Sequence, residues 1–167
     1  MERQLREFYA GKKVLVTGGA GFIGSHLVDA LVKLEAKVSV LDNFSTGSMG
    51  NLHDTLPFIN LQYTDITSPY STLQGTLHKE VVFHLAAFIS VPNSVKYPAH
   101  CKLVNEIGTA NTLNACIKNG VKSFVFSSSA AVYGNKSTIC DENDTPNPQS
   151  PYAVSKLVGE RLCAEAA

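Results

Sequence analysis

The sequence predicts an α/β domain built on a doubly wound, mostly parallel sheet. Three observations predict it. Short β-rich runs alternate along the chain with runs of helical spacing. The strand-like runs VVFHLAA and FVFSS are continuously apolar, as expected of strands covered by helices on both faces. A glycine triplet separates the first strand from the helix after it.

The elements follow in order. KKVLVTG (12–18) is a β-rich run ending in glycine, FIGSHLVDALVKLEA (22–36) has helical spacing, and KVSVLD (37–42) is strand-like again. FINLQYTDI (58–66) reads as a strand, 69–78 as a short helix, VVFHLAA (81–87) as a strand and 98–119 as a longer helix. SFVFSSS (123–129) is the fifth strand. The last helix starts at Pro151 with Ser150 as its cap, since serine accepts first-turn amides and proline fits the first helical position. Residues 1–11 form an N-terminal extension to a domain spanning 12–167, and the crossovers are expected to be right-handed.

Composition narrows the function classes. With 167 residues, 44% hydrophobic and 17% charged, the chain can bury one real core and is neither disordered nor fibrous. Fourteen basic and fourteen acidic residues cancel, so no global field recruits nucleic acid or an anionic membrane. MERQLREFYAGKK has no long apolar run, which argues against a secretion signal or membrane span and predicts a cytoplasmic protein. Cys101, Cys116, Cys140 and Cys163 are scattered without a CxxC pair, so reduced thiols are expected and no metal. The five histidines, His26, His53, His78, His84 and His100, are read as packing or surface residues.

TGGAGFIG (17–24) carries the first chemistry. Gly18 permits a tight turn, Gly21 lets backbone amides approach a pyrophosphate, and Gly24 allows close packing of helix on strand. The helix N-terminus then faces the negative charge. Asp42 ends the second strand, where a carboxylate accepts from an adenosine ribose and repels a 2′-phosphate. The NFSTG that follows holds no Arg or Lys, so NAD is expected over NADP. Asp65 is placed to meet the adenine edge or to form a turn.

A second constellation lies at the carboxyl ends of the later strands, where open parallel sheets place their sites. Ser127, Ser128 and Ser129 end the fifth strand, and Tyr152 and Lys156 share one face of the next helix at i, i+4. A free tyrosine has a pKa of about 10 and is a poor base at neutral pH. A neighbouring ammonium and an oxidised nicotinamide ring would both favour its phenolate. Tyr152 is therefore the candidate acid and base for a sugar hydroxyl, with Ser129 holding that hydroxyl and Lys156 gripping the nicotinamide ribose.

Taken together, TGGAGFIGSH, LDNFSTG, the aspartate of TDI, HLAA, NEIGT, SSSAAVYG and SPYAVSK resemble the extended short-chain dehydrogenase/reductase family, and within it the nucleotide-sugar 4-epimerases. The resemblance implies a Rossmann domain and NAD contacts at Gly18, Gly21, Phe22, Ile23, Gly24, Asp42, Asn43, Phe44, Ser45, Thr46, Gly47, Asp65, Ile66, Leu85, Ala86, Ala87, Asn105, Ser127, Tyr152 and Lys156. It implies a catalytic group of Ser129, Tyr152 and Lys156, with Ser129, Tyr152 and Ser90 toward a UDP-hexose or UDP-N-acetylhexosamine. Ser90 is equally a cap or loop residue.

The family mechanism takes the 4-hydroxyl proton onto tyrosine while hydride passes from C4 to NAD and returns on the other face. Where 4,6-dehydratases carry an acidic pair, this chain has Ala130 and Ala131, which disfavours elimination. A reductase that releases its oxidised product and a non-catalytic NAD-binding module are the rival readings. The family also implies a homodimer through the helices at 98–119 and 151–167 and a longer chain. By that comparison the sheet is cut after about five strands, the substrate domain is missing, and little turnover is expected from these residues alone.

Overall fold

The computed structural model describes residues 2–167. Five parallel strands, β1 (Lys13–Thr17), β2 (Lys37–Asp42), β3 (Asn60–Tyr63), β4 (Val81–His84) and β5 (Ser123–Phe126), form one sheet in the order β3-β2-β1-β4-β5. The order reverses between β1 and β4, and the two strands diverge there into opposite halves of the sheet. That reversal opens the crevice at the carboxyl edge.

Side-chain alternation sorts the core into two layers. Val14, Val16, Val38 and Val40 point to one face and pack with Val28 and Leu31 of helix α2 (Phe22–Lys33). Leu15, Leu41 and Val82 point to the other and pack with Ile66 and with Cys116 of a later helix, α6 (Gly108–Asn119). Between these lie α3 (Pro69–Gly75), α4 (Val91–Lys96) and α5 (Pro98–Lys102), and α7 (Pro151–Ala166) closes the chain. A β-branched or leucine side chain at nearly every position of β1 thus serves both layers.

Several expectations need correction. The strand at 58–66 shortens to Asn60–Tyr63 because Pro57 starts a tight helical turn before it and the Asp65 carboxylate takes the Thr67 amide after it. The strands at 81–87 and 123–129 stop at His84 and Phe126, where β1 ends and Gly18 turns away. The helix at 22–36 ends at Lys33, since Glu35 adopts a left-handed φ of 62°. The helix at 69–78 ends at Gly75.

The helix expected at 98–119 runs that full span, with a π-helical turn over Leu103–Ile107 joining α5 to α6. Of the two structural readings of Ser90, cap or loop, the cap holds: Ser90 caps α4, which has Pro92 in its first turn. The extension at 1–11 contains a helix, α1 (Glu2–Tyr9), docked through Tyr9 against Phe83; residue 1 lies outside the described residues. β5 is covered on one face only, where Phe126 lies under Gly159 of α7. On the α2 face Val125 is 47% exposed.

Candidate active site

The turn after β1 is built by contacts that exclude side chains. Gly18 has φ +70°, and a Cβ on it would lie 2.6 Å from the amide nitrogen of Ala86. A Cβ on Gly24 would lie 2.1 Å from the Gly18 carbonyl oxygen. The chain from β1 therefore passes directly against the chain leaving β4. Gly21 caps α2 without any side-chain hydrogen bond, which leaves the first-turn amides of the helix for an external acceptor. Phe22 at that end is 80% exposed.

Asp42 is buried, and both its oxygens are engaged: Oδ2 accepts from the Ala20 amide at 2.8 Å and Oδ1 from the Phe44 amide at 2.8 Å. The carboxylate thus fixes the glycine turn and the loop after β2 to one another. Asn43 donates to Asp65 at 2.6 Å. Burial alone would raise the Asp65 pKa, but hydrogen bonds from Thr67 and Asn43 outweigh it and hold the carboxyl below its usual range.

Lys156 lies on α7 with 4% of its surface exposed, and its ammonium donates to the Ser127 carbonyl at 2.8 Å. It stands 5.9 Å from the centre of the Tyr152 ring and 5.0 Å from that of Phe126. Burial pushes its pKa down to about 8, slightly opposed by Cys101. Beneath it, His84 bridges Thr17 at 2.8 Å and Thr109 at 3.0 Å, and burial followed by the Lys156 charge pushes it down to about 3. A neutral histidine therefore underlies the lysine.

The N-terminal turn of α7 is held from two sides. The Tyr152 amide donates to Ser94 Oγ at 3.2 Å, and the Tyr152 carbonyl accepts from Ser155 Oγ at 2.7 Å. Ser155 in turn accepts from Asn105 Nδ2 at 2.9 Å. Asn105 also clamps Phe88, accepting its amide at 2.7 Å and donating to its carbonyl at 3.1 Å. One buried asparagine, in the π-turn, thus joins the tyrosine helix to the chain beyond β4.

A single cavity of about 710 Å³ runs along the carboxyl edge of the sheet. It brings together most residues singled out from the sequence: Gly18, Gly21, Phe22, Ile23 and Gly24; Asp42, Asn43, Ser45, Thr46 and Gly47; Asp65 and Ile66; Leu85, Ala86, Ala87 and Ser90; Ser127, Tyr152 and Lys156. Three fall outside its lining. Phe44 turns away to stack on Tyr63 at 5.7 Å and pack against the core. Asn105 lies behind Phe88. The Ser129 hydroxyl caps the turn at Ala130–Tyr133 by accepting the Ala131 amide at 3.2 Å.

Ser90 lines the cavity and also caps α4, accepting the Asn93 amide at 3.2 Å. Sequence reasoning missed Phe88, Asn93, His100 and Val104, all in the lining, while Ser128, noted at the end of the fifth strand, lines it too. Only His100 and Val104 carried a signal, a four-residue helical spacing that continues to Gly108.

An open parallel sheet with a glycine turn, an acidic β2 terminus and a cavity across its switch point defines a nucleotide-binding α/β domain of the Rossmann type. The comparisons with known proteins narrow the class. The NAD dependent epimerase/dehydratase family matches residues 14–167. A putative UDP-glucose 4-epimerase of Methanocaldococcus jannaschii is 43% identical over 88% of this chain and 48% of its own length. The UDP-glucose 4-epimerase of Mycolicibacterium smegmatis is 41% identical over 89% and 49%.

Among solved structures, a UDP-N-acetylglucosamine 4-epimerase from Methanobrevibacter ruminantium superposes with a TM-score of 0.88 at 39% identity, over 93% of this chain and 50% of that one. The chain belongs to the NAD dependent epimerase/dehydratase family, whose cofactor is NAD. It spans about half the length of the curated relatives it matches.

Proposed function

We propose that the chain forms the NAD-binding and acid–base part of a nucleotide-sugar 4-epimerase acting on a UDP-hexose or UDP-N-acetylhexosamine. The observation that carries the reading is the sharing of one cavity by the Gly18 turn and the Tyr152–Lys156 pair. The residues fit a dinucleotide. The uncapped start of α2 offers amides to a pyrophosphate, the glycines leave room for close approach, and Asp42 stands at the ribose position. A volume of about 710 Å³ suits a ligand of that size.

When bound, the nicotinamide supplies reversible hydride acceptance at C4 of the sugar. The chain's own residues do the rest. The Tyr152 phenol oxygen takes the 4-hydroxyl proton and gives it back. The Lys156 ammonium, anchored on the Ser127 carbonyl and 5.9 Å from the centre of the Tyr152 ring, supplies positive charge that favours the phenolate. The buried polar link from Ser94 through the Tyr152 backbone and Ser155 to Asn105 holds the turn that carries the phenol.

Several structural relatives are UDP-glucose 4-epimerases solved with NAD or UDP-glucose bound, which supports the substrate class. Native mass spectrometry of the purified protein should show one dinucleotide retained per chain; its failure to take up added NAD would reject the cofactor reading. In a chimera joining residues 1–167 to the carboxyl-terminal half of a structural relative, Tyr152→Phe should keep NAD and abolish interconversion of UDP-glucose with its C4 epimer. Undiminished turnover in that variant would reject the role given to Tyr152.

A further inference from the structure

A stripe of the helix that crosses the sheet, His100, Val104 and Gly108, overhangs the segment leaving β3. Gly108 is packed so tightly that a Cβ on it would lie 2.6 Å from Ile66 Cδ1. Asn111, further along α6, donates to the carbonyls of Ile66 and Thr67 at 3.3 and 3.1 Å. The helix is thus moored along Ile66. Val104 and His100, one and two turns earlier, line the cavity together with Asp65 and Ile66, and Val104 packs against the core cluster that includes Ile66.

His100 is braced from behind. Its ring meets Phe88 edge-on, with centroids 5.4 Å apart and planes at 88°. Phe88 is itself pinned at both amide and carbonyl by Asn105. The imidazole is otherwise exposed, and it lines the same cavity as Asp65. Asp65 and Asn43, hydrogen-bonded to each other, stand at the edge of the same recess. What results is a slot with an apolar wall at Ile66 and Val104, a polar edge at Asn43 and Asp65, and an aromatic ring at its mouth. Those are the requirements of a flat heteroaromatic base with hydrogen-bonding groups on its rim.

We propose that His100 is an adenine-binding residue, its imidazole closing the slot over Ile66 and Val104 by stacking on the purine. The slot takes the adenine of the dinucleotide and, independently, free adenine nucleotides. The proposal rests on the cofactor reading above and goes beyond it in assigning the base contact to a histidine that belongs to none of the motifs described from the sequence.

Isothermal titration of the 167-residue protein with NAD, AMP and nicotinamide mononucleotide tests it. Stacking on a base is typically lost at a level that His100→Ala should report as about five- to tenfold weaker binding of both NAD and AMP. Affinity for nicotinamide mononucleotide should not change, and His100→Phe, which keeps a flat ring, should restore NAD binding to within about twofold. Proton NMR of the wild type gives a reading free of mutation: the His100 ring resonance should shift on addition of AMP and not of nicotinamide mononucleotide. Equal NAD and AMP affinities in wild type and His100→Ala, or an unmoved His100 resonance at saturating AMP, overturn the assignment to His100 while leaving the cofactor reading intact. Absence of saturable binding of NAD and AMP by the wild type overturns both.

Discussion

The ammonium of Lys156 donates to the backbone carbonyl of Ser127 at 2.8 Å, so the helix that carries Tyr152 is tied directly to the end of the last strand. The bond brings a cation into a nearly closed site above neutral His84. Its pKa falls to about 8 from an ordinary 10.5, chiefly through burial. Between those values the unfolded chain holds this proton and the folded chain releases it. Stability therefore rises with pH through that window, by an amount on the order of 3 kcal/mol from this group. Urea titrations at several pH values from 7.5 to 10.5 should show wild type gaining on Lys156→Met, which lacks the titrating group. Parallel pH dependences would contradict it.

Asp42 predicts a joint loss of binding and stability. Its two oxygens satisfy the Ala20 and Phe44 amides. Asp42→Asn leaves one acceptor oxygen for two donors, and an unsatisfied buried amide costs about 1–3 kcal/mol. Thermal unfolding should register that cost. The wild type should bind NAD at least about tenfold more tightly than NADP, since a buried carboxylate disfavours a 2′-phosphate. The substitution should narrow that ratio, and a ratio left unchanged would show that Asp42 does not read the ribose.

Gly18→Ala tests the turn itself. The residue combines φ +70° with a Cβ position 2.6 Å from the Ala86 backbone, so alanine meets strain and overlap together. A loss of about 2 kcal/mol or more follows, with NAD affinity falling alongside. Gly120 shares the positive φ, +67°, but has open space around it. Gly120→Ala should cost only about 1 kcal/mol, and equal losses at the two positions would mean that the close approach to Ala86 contributes nothing.

How much was legible in the sequence depended on whether a feature was local. The glycine turn, the acid after β2 and the Tyr152–Lys156 pair all rest on spacing within one or two elements, and all reach the cavity. β2 was bounded correctly at 37–42 because its apolar run is flanked by Lys37 and Asp42. What was missed depends on contacts between distant segments. Phe44 packs on the core of the α2 face and stacks on Tyr63 of a neighbouring strand. β3 and β4 are shorter than their apolar runs because the ladder stops where its partner does. Helix α1 docks through Tyr9 on Phe83, some seventy residues away, a pairing that periodicity does not encode. The π-turn around Asn105 is set by that side chain reaching both Phe88 and Ser155.

That reach gives the last prediction. Asn105 is buried with every polar atom of its amide paired, to Phe88 on one side and to Ser155 on the other. Ser155 passes the connection to the Tyr152 carbonyl, while Ser94 receives the Tyr152 amide. Removing one end should therefore loosen the other. Asn105→Ala strands the Phe88 amide and should destabilise the fold by about 2–4 kcal/mol, through one or two unpaired groups and a small void. Ser94→Ala strands only the Tyr152 amide and should cost about 1–2 kcal/mol. Amide hydrogen exchange distinguishes coupling from simple destabilisation. In Asn105→Ala, protection should fall at Phe88 and at the first turn of α7 while the Val14–Val16 amides of β1 keep theirs relative to global stability. In Ser94→Ala the loss should centre on Tyr152 and leave Phe88 protected. A uniform fall at all of these amides in both variants would mean that the buried link stabilises the domain without positioning the tyrosine.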